Sequence, residues 1–361
     1  MPAWIYPTLE IGAPRAYLRR MKTADVLTLS PAGLYCPLGD FHIDPTRPSP
    51  RALITHGHAD HARAGHGAVM ATRETLDIMA LRYGEGFTRS RQVAEPGRAT
   101  RVGEVDVTFH PAGHVLGSAQ ILIEAKGFRV VVSGDYKRAR DPTCAPFEPV
   151  RCDAFITEAT FGLPVFRHPE ASTEVERLIS SIKLFPDRAH VIGVYSLGKA
   201  QRVMALIREA GWDRPFHIHG ALEKISRYYA DAGARLGEFT QVATAEKLGL
   251  AGEIVLCPPS AIADRWSAGF ADPVRALASG WMRIRAFARR GSAQLPLVIS
   301  DHADWDALRD TVVETGCSEL WVTHGATEPL THWARARGLD AKPLDMVGYG
   351  DEEAAVEEAA P

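Results

Sequence analysis

Cysteine is scarce in this chain. Five residues, Cys36, Cys144, Cys152, Cys257 and Cys317, are odd in number and show no C-x-x-C spacing. That argues against a disulfide framework and a thiolate zinc site, and leaves reduced packing thiols of a cytoplasmic protein as the expectation. Long hydrophobic runs are missing too. No stretch reaches the roughly 18 apolar residues that a membrane span needs. The N-terminal MPAWIYPTLEIGAPRAYLRR lacks the basic segment followed by an apolar core that marks a secretory leader. Neither sign of charge dominates: 41 Lys and Arg stand against 44 Asp and Glu, for a net charge of −3. No global basic field advertises an anionic polymer, so binding one has to rest on a local patch. No internal repeat is visible. The last residues, 351–361, are acidic and are expected to form a disordered, solubilising tail.

What remains is ordinary globular composition, 46% hydrophobic and 24% charged over 361 residues, enough for two domains or one domain with a large insertion. One pattern recurs along the chain. Short strand-like runs end in residues that bind metals or move protons. Phe41-His42-Ile43 leads to Asp44, and Ala52-Leu53-Ile54 leads to THGHADH. The run from Val105 to Phe109 leads to HPAGH with His114, and the run from Phe128 to Val132 to SGD with Asp135. Ala154-Phe155-Ile156 leads to Glu158, Leu295 to Ile299 leads to SDHADW with His302, and Leu320-Trp321-Val322 leads to THG with His324. A lone histidine after a strand is usually a solvated loop residue. Repetition changes that, because packing gives no reason to place histidine and carboxylate at one position again and again, whereas layered α/β folds gather such loops at one sheet edge. The pattern lapses between about 165 and 285, where helices and strands alternate without a metal-type cluster. An α/β segment inserted into a larger domain is expected there.

The stretch THGHADH, residues 55 to 61, is the sharpest signal. Neutral imidazoles suit zinc, and carboxylates suit zinc, manganese or iron. Four side chains so close in sequence crowd a single tetrahedral ion. Alternation can instead send His56 and His58 to one ion and Asp60 and His61 to a second. Two ions about 3.5–4 Å apart, bridged by hydroxide, make a hydrolytic centre. Such a pair needs ligands from elsewhere, and His114, Asp135 and His324 are the candidates.

HGHADH, PAGHVLGSA and SGDYK together resemble the metallo-β-lactamase superfamily, whose αββα sandwich holds a dimetal site at its sheet edges. TEATFG, SDHADW and WVTHG resemble motifs A, B and C of its β-CASP branch, nucleases that include cleavage-and-polyadenylation endonucleases, ribonuclease J and DNA-repair enzymes. GLYC, SGDYKRARDPTCAPFEP, TEATFGLPVFRHP, YSLGKAQR, SGWMR and ISDHADW are similar to bacterial ligase-associated DNA exonucleases, over nearly the whole chain. The resemblance implies an α/β fold: a metallo-β-lactamase core built from residues 1–164 and 286–350, interrupted by a β-CASP cap over 165–285. It implies two divalent ions, zinc first and manganese second. One would be held by His56, His58 and His114, the other by Asp60, His61 and His324, with Asp135 bridging and Asp44 orienting a ligand histidine. Motif C carries a histidine here, as the RNA-cleaving relatives do. The implied activity is hydrolysis of single-stranded DNA from its 5′ end in DNA repair, alongside an ATP-dependent DNA ligase and a helicase.

Phosphodiester hydrolysis also needs a proton for the leaving oxygen. His302 is the candidate acid, oriented by Glu158, so His302, Glu158 and Asp60 form the catalytic set. The bland alternative for Glu158 and His302 is a buried ion pair tying cap to core. For gripping the polymer, WMRIRAFARRG offers Arg283, Arg285, Arg289 and Arg290, TRSRQ offers Arg89 and Arg91, and YKRAR offers Lys137, Arg138 and Arg140. In YSLGKAQR, a strand, a glycine turn and a helix start place Ser196 and Lys199 where an anion would sit. His217 and His219 alternate along a strand and lack a partner cluster, so they are expected to be packed or exposed residues rather than ligands. Rival readings are an RNA-processing β-CASP ribonuclease and a non-catalytic β-CASP scaffold. A small-molecule hydrolase has no need of motifs A to C or a large cap, and a degenerate scaffold would have lost ligands.

Overall fold

The computed structural model describes residues 21–344, apart from Ala243, Ala263, Gly291 and Ser292. The expected acidic tail lies outside the described residues.

Three sheets organise the chain. The first has six strands in sequence order: Thr28–Ser30, Gly33–Cys36, Phe41–Ile43, Arg51–Leu53, His66–Ala71 and Thr88–Val93. The second has seven, ordered Asp340–Pro343, Glu319–Gly325, Ala154–Ala159, Phe128–Val132, Ala119–Ala125, Val105–Pro111 and Thr100–Val102. Their facing sides share one core, in which Phe41, Ile43 and Leu53 of the first sheet meet Val107, Phe109, Ile121 and Ile156 of the second. Each outer face is covered by helix. Helix Arg73–Tyr83 buries Leu76 and Met79 against Val69 of the first sheet. Helices Trp305–Thr315 and Thr327–Arg335 bury Leu308, Val312 and Leu330 against Val131, Phe155 and Leu320 of the second. The result is the αββα sandwich expected from the sequence.

The third sheet is built from residues between 190 and 297. Its strands run Phe239–Gln241, Phe216–Ile218, Ile254–Cys257, His190–Gly193, Val274–Ala278 and Leu295–Leu297, and every pairing is parallel. A parallel sheet must be covered on both faces. Helices Ala171–Leu184, Lys199–Glu209 and Gly220–Asp231 fill one side, through Leu178, Val203, Met204 and Leu222. Val255, Ile262, Phe270 and Met282 form the core on the other. The strand Leu295–Leu297 extends this sheet past residue 285 and delivers the chain to motif B.

Direction explains where the functional loops meet. The strands ending at Val132, Ala159 and Gly325 run parallel, and Val105–Pro111, two antiparallel steps away from Phe128–Val132, runs the same way. Their C-terminal ends therefore open on one edge of the sheet. Asp135, Glu158, His324 and His114 come from those ends.

Among the described residues no helix is long and apolar enough to cross a membrane. All five cysteines are free thiols, and four of them are buried.

Candidate metal centre

His56, His58, His114 and Asp135 are buried together, each offering a ligand atom within 4.8 Å of the others. His58 Nδ1 lies 3.1 Å from His56 Nε2 and 3.0 Å from His114 Nε2. Metal–nitrogen bonds of about 2.0–2.1 Å put neighbouring nitrogens of a tetrahedral zinc about 3.3 Å apart, so the three converge at nearly ligand spacing. Burial and the neighbouring imidazoles hold His56 well below the usual histidine range, and burial with His302 and His58 does the same for His114. Both are therefore neutral, the form that ligates.

The outward nitrogens are tied down, which fixes ring orientation and tautomer. Thr55 Oγ1 donates to Asp44 Oδ2 at 2.5 Å and accepts from His56 Nδ1 at 3.0 Å. His114 Nδ1 donates to the carbonyl of Asp301 at 2.9 Å, and His58 Nε2 to the carbonyl of Leu197 at 3.2 Å. Asp44, expected from the sequence to orient a ligand histidine, lies with its Oδ2 2.8 Å from His61 Nδ1. It sits at φ 44, in the left-handed region that non-glycine residues seldom occupy, and so does His324 at φ 57. Such strain is kept where the surrounding structure insists on a particular side-chain direction.

Asp135 is the hinge of the arrangement. Its Oδ2 lies 3.4 Å from His56 Nε2 and 3.8 Å from His114 Nε2 on one side, and 3.5 Å from His61 Nε2 on the other. A carboxylate so placed can serve both ligand groups. His61 Nε2 also faces Asp60 Oδ2 at 3.6 Å, and the His324 ring stacks on His61 with centroids 5.2 Å apart. Burial opposes a charge on His61, but Asp135, Asp60 and Asp44 outweigh it and push it up to about 10. Burial raises Asp135 to about 8, against the pull of His61. Burial thus disfavours charge on Asp135, His56, His114 and His324, while the carboxylates around His61 keep it protonated. The donor set of His56, His58, His114 and Asp135 fits a divalent ion, and Asp60, His61 and His324 lie on the other side of Asp135.

His302 lies beside this centre, its ring 4.7 Å from that of His114. His302 Nδ1 is 3.0 Å from Glu158 Oε2, and Glu158 Oε1 accepts from the Tyr136 backbone N–H at 2.7 Å. Burial disfavours the imidazolium, yet Glu158 outweighs it and raises His302 well above the ordinary value. Just after Glu158 the register between Ala154–Ala159 and Glu319–Gly325 slips by one residue, and His324 is the residue left unpaired in the ladder.

The polymer-binding candidates fare differently. Lys199 does not face a ligand: it is fully buried, with Nζ 2.7 Å from Asp301 Oδ1. Its expected contact with a phosphate is corrected accordingly, because the charge is already matched inside the protein. Ser196 is half-buried, and its carbonyl accepts from Gln201 Nε2. The basic run YKRAR is compensated too. Arg138 forms a bidentate pair with Glu314, Arg140 forms one with Glu209, and Lys137 is buried with Nζ 3.4 Å from the carbonyl of His302. Arg91 pairs with Glu85 and lies over Phe87, while Arg89 is exposed. Arg283, Arg285 and Arg289 are exposed, and the Arg290 side chain is not among those described; burial first, then Lys137, Lys199 and His302, with Arg283 the smallest contribution, lower His168 to about 3. A cavity of about 320 Å³ opens beside this region, with Lys137, His168, Ser300 and Asp304 in its wall. His217 lies in a strand, but His219 is past its end and caps helix Gly220–Asp231 through a bond from Ala221 N. Asp301, Leu197 and Thr55, each holding a ligand histidine or its neighbour, had no role from the sequence. Asp301 stood inside the quoted SDHADW, where its proximity to His302 was the available signal.

No family model matches the chain. Curated relatives do. A probable DNA ligase of Opitutus terrae is 27% identical over 317 residues, 86% of this chain but 30% of that protein. The Dictyostelium discoideum cleavage and polyadenylation specificity factor subunit 3 is 33% identical over 51% of this chain and 27% of its own length. The endoribonuclease ysh1 of Aspergillus fumigatus is 33% identical over 37% of this chain and 15% of its own. The chain thus spans less than a third of each of these relatives. A crystal structure of an Enterococcus faecalis V583 protein of unknown function aligns with TM-score 0.57 at 14% identity, covering 83% of this chain and 80% of that one, which bears on the fold alone. The sandwich with histidines and aspartates at its sheet edge is the metallo-β-lactamase fold. Within that fold, the chain is similar to nucleases of the β-CASP branch.

Proposed function

We propose that the protein is a dimetal phosphodiesterase that degrades single-stranded DNA from its 5′ end in DNA repair, with zinc, or manganese in its place, as the metal. The observation that carries the hydrolytic reading is Asp135, whose one oxygen faces imidazoles of both ligand groups. Held by His56, His58 and His114 on one side and Asp60, His61 and His324 on the other, with Asp135 between them, two divalent cations would activate water and neutralise charge on the phosphoryl oxygens. The chain's own part is to gather the seven candidate ligands around one buried point and to deliver a proton. Glu158 accepts from His302 Nδ1, which keeps that imidazole charged and leaves Nε2–H for the leaving oxygen. Exposed Arg283 and Arg285 hold the strand behind the centre, and the segment of the third sheet forms the cap that closes over it.

DNA as substrate is supported by the likeness to ligase-associated exonucleases and by the relative named as a probable DNA ligase, which contains a counterpart of most of this chain. The same relative supports work beside an ATP-dependent ligase; a helicase partner and a cytoplasmic location rest on the family resemblance and cysteine content. A second reading, an RNA-processing ribonuclease, is favoured by the endoribonuclease relatives and the histidine of motif C. Matched DNA and RNA strands, labelled at either terminus, and a covalently closed single-stranded DNA circle separate the cases. The expected result is stepwise loss from the 5′ end of DNA with the circle left intact. Rapid cutting of the circle overturns the exonuclease assignment, and faster loss of RNA establishes the ribonuclease.

A further inference from the structure

Three contacts join one turn of the third-sheet segment to the loops around the candidate metal centre, and a fourth comes from helix Gly220–Asp231. The Leu197 carbonyl accepts from His58 Nε2 at 3.2 Å. Gly198, at φ 84, presses so close to the loop after His114 that a Cβ would stand 2.3 Å from Val115 Cγ1. Only glycine meets both demands, a left-handed backbone and contact without a side chain. Lys199 Nζ lies 2.7 Å from Asp301 Oδ1, and both residues are buried. Next to this turn, Tyr229 Oη accepts from the Leu116 N–H at 3.0 Å.

We propose that Lys199 is a positioning residue for the metal centre. It holds Asp301, whose carbonyl fixes His114, while the adjoining Leu197 carbonyl fixes His58. Two of the three imidazoles of one ion are thereby oriented by a segment that contributes no ligand. Loading of that ion and docking of the 197–199 turn form one cooperative event. The inference rests on the metal-centre reading above and not on the substrate.

The geometry distinguishes this from general adhesion between the two parts of the chain. Arg202, one turn further along helix Lys199–Glu209, is also buried and pairs with Asp141 Oδ2 at 3.1 Å. Neither partner touches a ligand histidine in the described contacts. Arg202→Met therefore removes a comparable buried pair without reaching the metal centre.

The test is zinc affinity of the full chain, by competition with a chromophoric chelator, alongside thermal unfolding of each metal-free variant. Lys199→Met is expected to weaken zinc binding about 10- to 100-fold, the usual cost of losing a group that orients a ligand histidine. Arg202→Met should stay within about threefold of the parent even if its unfolding temperature falls, since its pair lies off the ligand network. Asp301→Asn should match the loss of Lys199→Met, and the double variant should be no weaker than either single, because both act through one link. If Lys199→Met fails to fold, Asp301→Asn, which preserves size, carries the same expectation. Parental affinity in the variants that fold, an equal loss in Arg202→Met, or additive losses in the double variant overturn the proposal. Because zinc binding is read without DNA, a wrong substrate assignment leaves this outcome untouched.

Discussion

Replacing Glu158 by glutamine changes one charge and almost nothing else. The side chain is buried at 1% exposure, its Oε1 accepts from Tyr136 N, and a glutamine oxygen can keep that bond. What disappears is the negative partner 3.0 Å from His302 Nδ1. A hydrogen bond to a charged group contributes about 1.5–3 kcal/mol net. At about 1.36 kcal/mol per pH unit that is a fall of about one to two units in the His302 pKa. The sign follows from the role. His302 acts in its protonated form, and Glu158 raises its pKa, so the acid stays available to high pH in the parent enzyme. In Glu158→Gln the alkaline limb of the rate profile should therefore move to lower pH by about one to two units. The assay is kcat against pH on end-labelled single-stranded DNA at saturating metal. A nitrophenyl phosphodiester, whose leaving group needs no proton, serves as control and should be nearly insensitive. A limb that stays in place, or equal damage on both substrates, refutes the general-acid assignment and leaves Glu158 and His302 as a structural pair.

Three further outcomes follow from the same geometry. Asp135→Ala should lose activity at every metal concentration, because its oxygen faces both ligand groups, whereas His324→Ala, at the edge of one group, should be partly rescued by excess metal; elemental analysis should then find fewer ions in Asp135→Ala than in His324→Ala. Arg283→Gln and Arg285→Gln, both exposed, should leave metal content intact and flatten the salt dependence of single-stranded DNA affinity, by about 0.7 in log–log slope for each phosphate contact removed. The metal-free protein should lose stability as pH falls below about 6. His56, His114 and His324 have folded pKa values below the unfolded one, so the unfolded chain takes up protons that the folded chain refuses. His61 and His302, raised, are charged when folded, so they oppose this loss until the unfolded imidazoles are also charged, at about pH 6, and add little below it; Asp135, raised to about 8, opposes throughout with one proton against three. Thermal unfolding between pH 7 and 5 checks this, and a flat profile would remove the three neutral imidazoles from the account.

How much of this was legible in the sequence depended on distance along the chain. THGHADH declares itself because its chemistry is local: four candidate ligands in seven positions exceed anything packing requires. His114, Asp135, Glu158 and His324 were legible one step less directly. Each follows a strand-like run, and parallel strands bring their C-terminal ends to one edge. Pairings between remote segments were not legible. YKRAR reads as a phosphate grip until Glu209 and Glu314 are found to hold Arg140 and Arg138. His219 reads as part of a strand until it caps a helix.

Lys199 is the instructive case. A strand, a glycine turn and a helix start with a lysine are the right local ingredients for binding an anion, and the turn does bind one. The anion is the carboxylate of Asp301, which belongs to the protein itself. Local pattern names the donor, and only the fold names the acceptor. Because Asp301 immediately precedes His302 and its carbonyl holds His114, the misread lysine bears on the same centre from behind the metal ligands rather than from the substrate side.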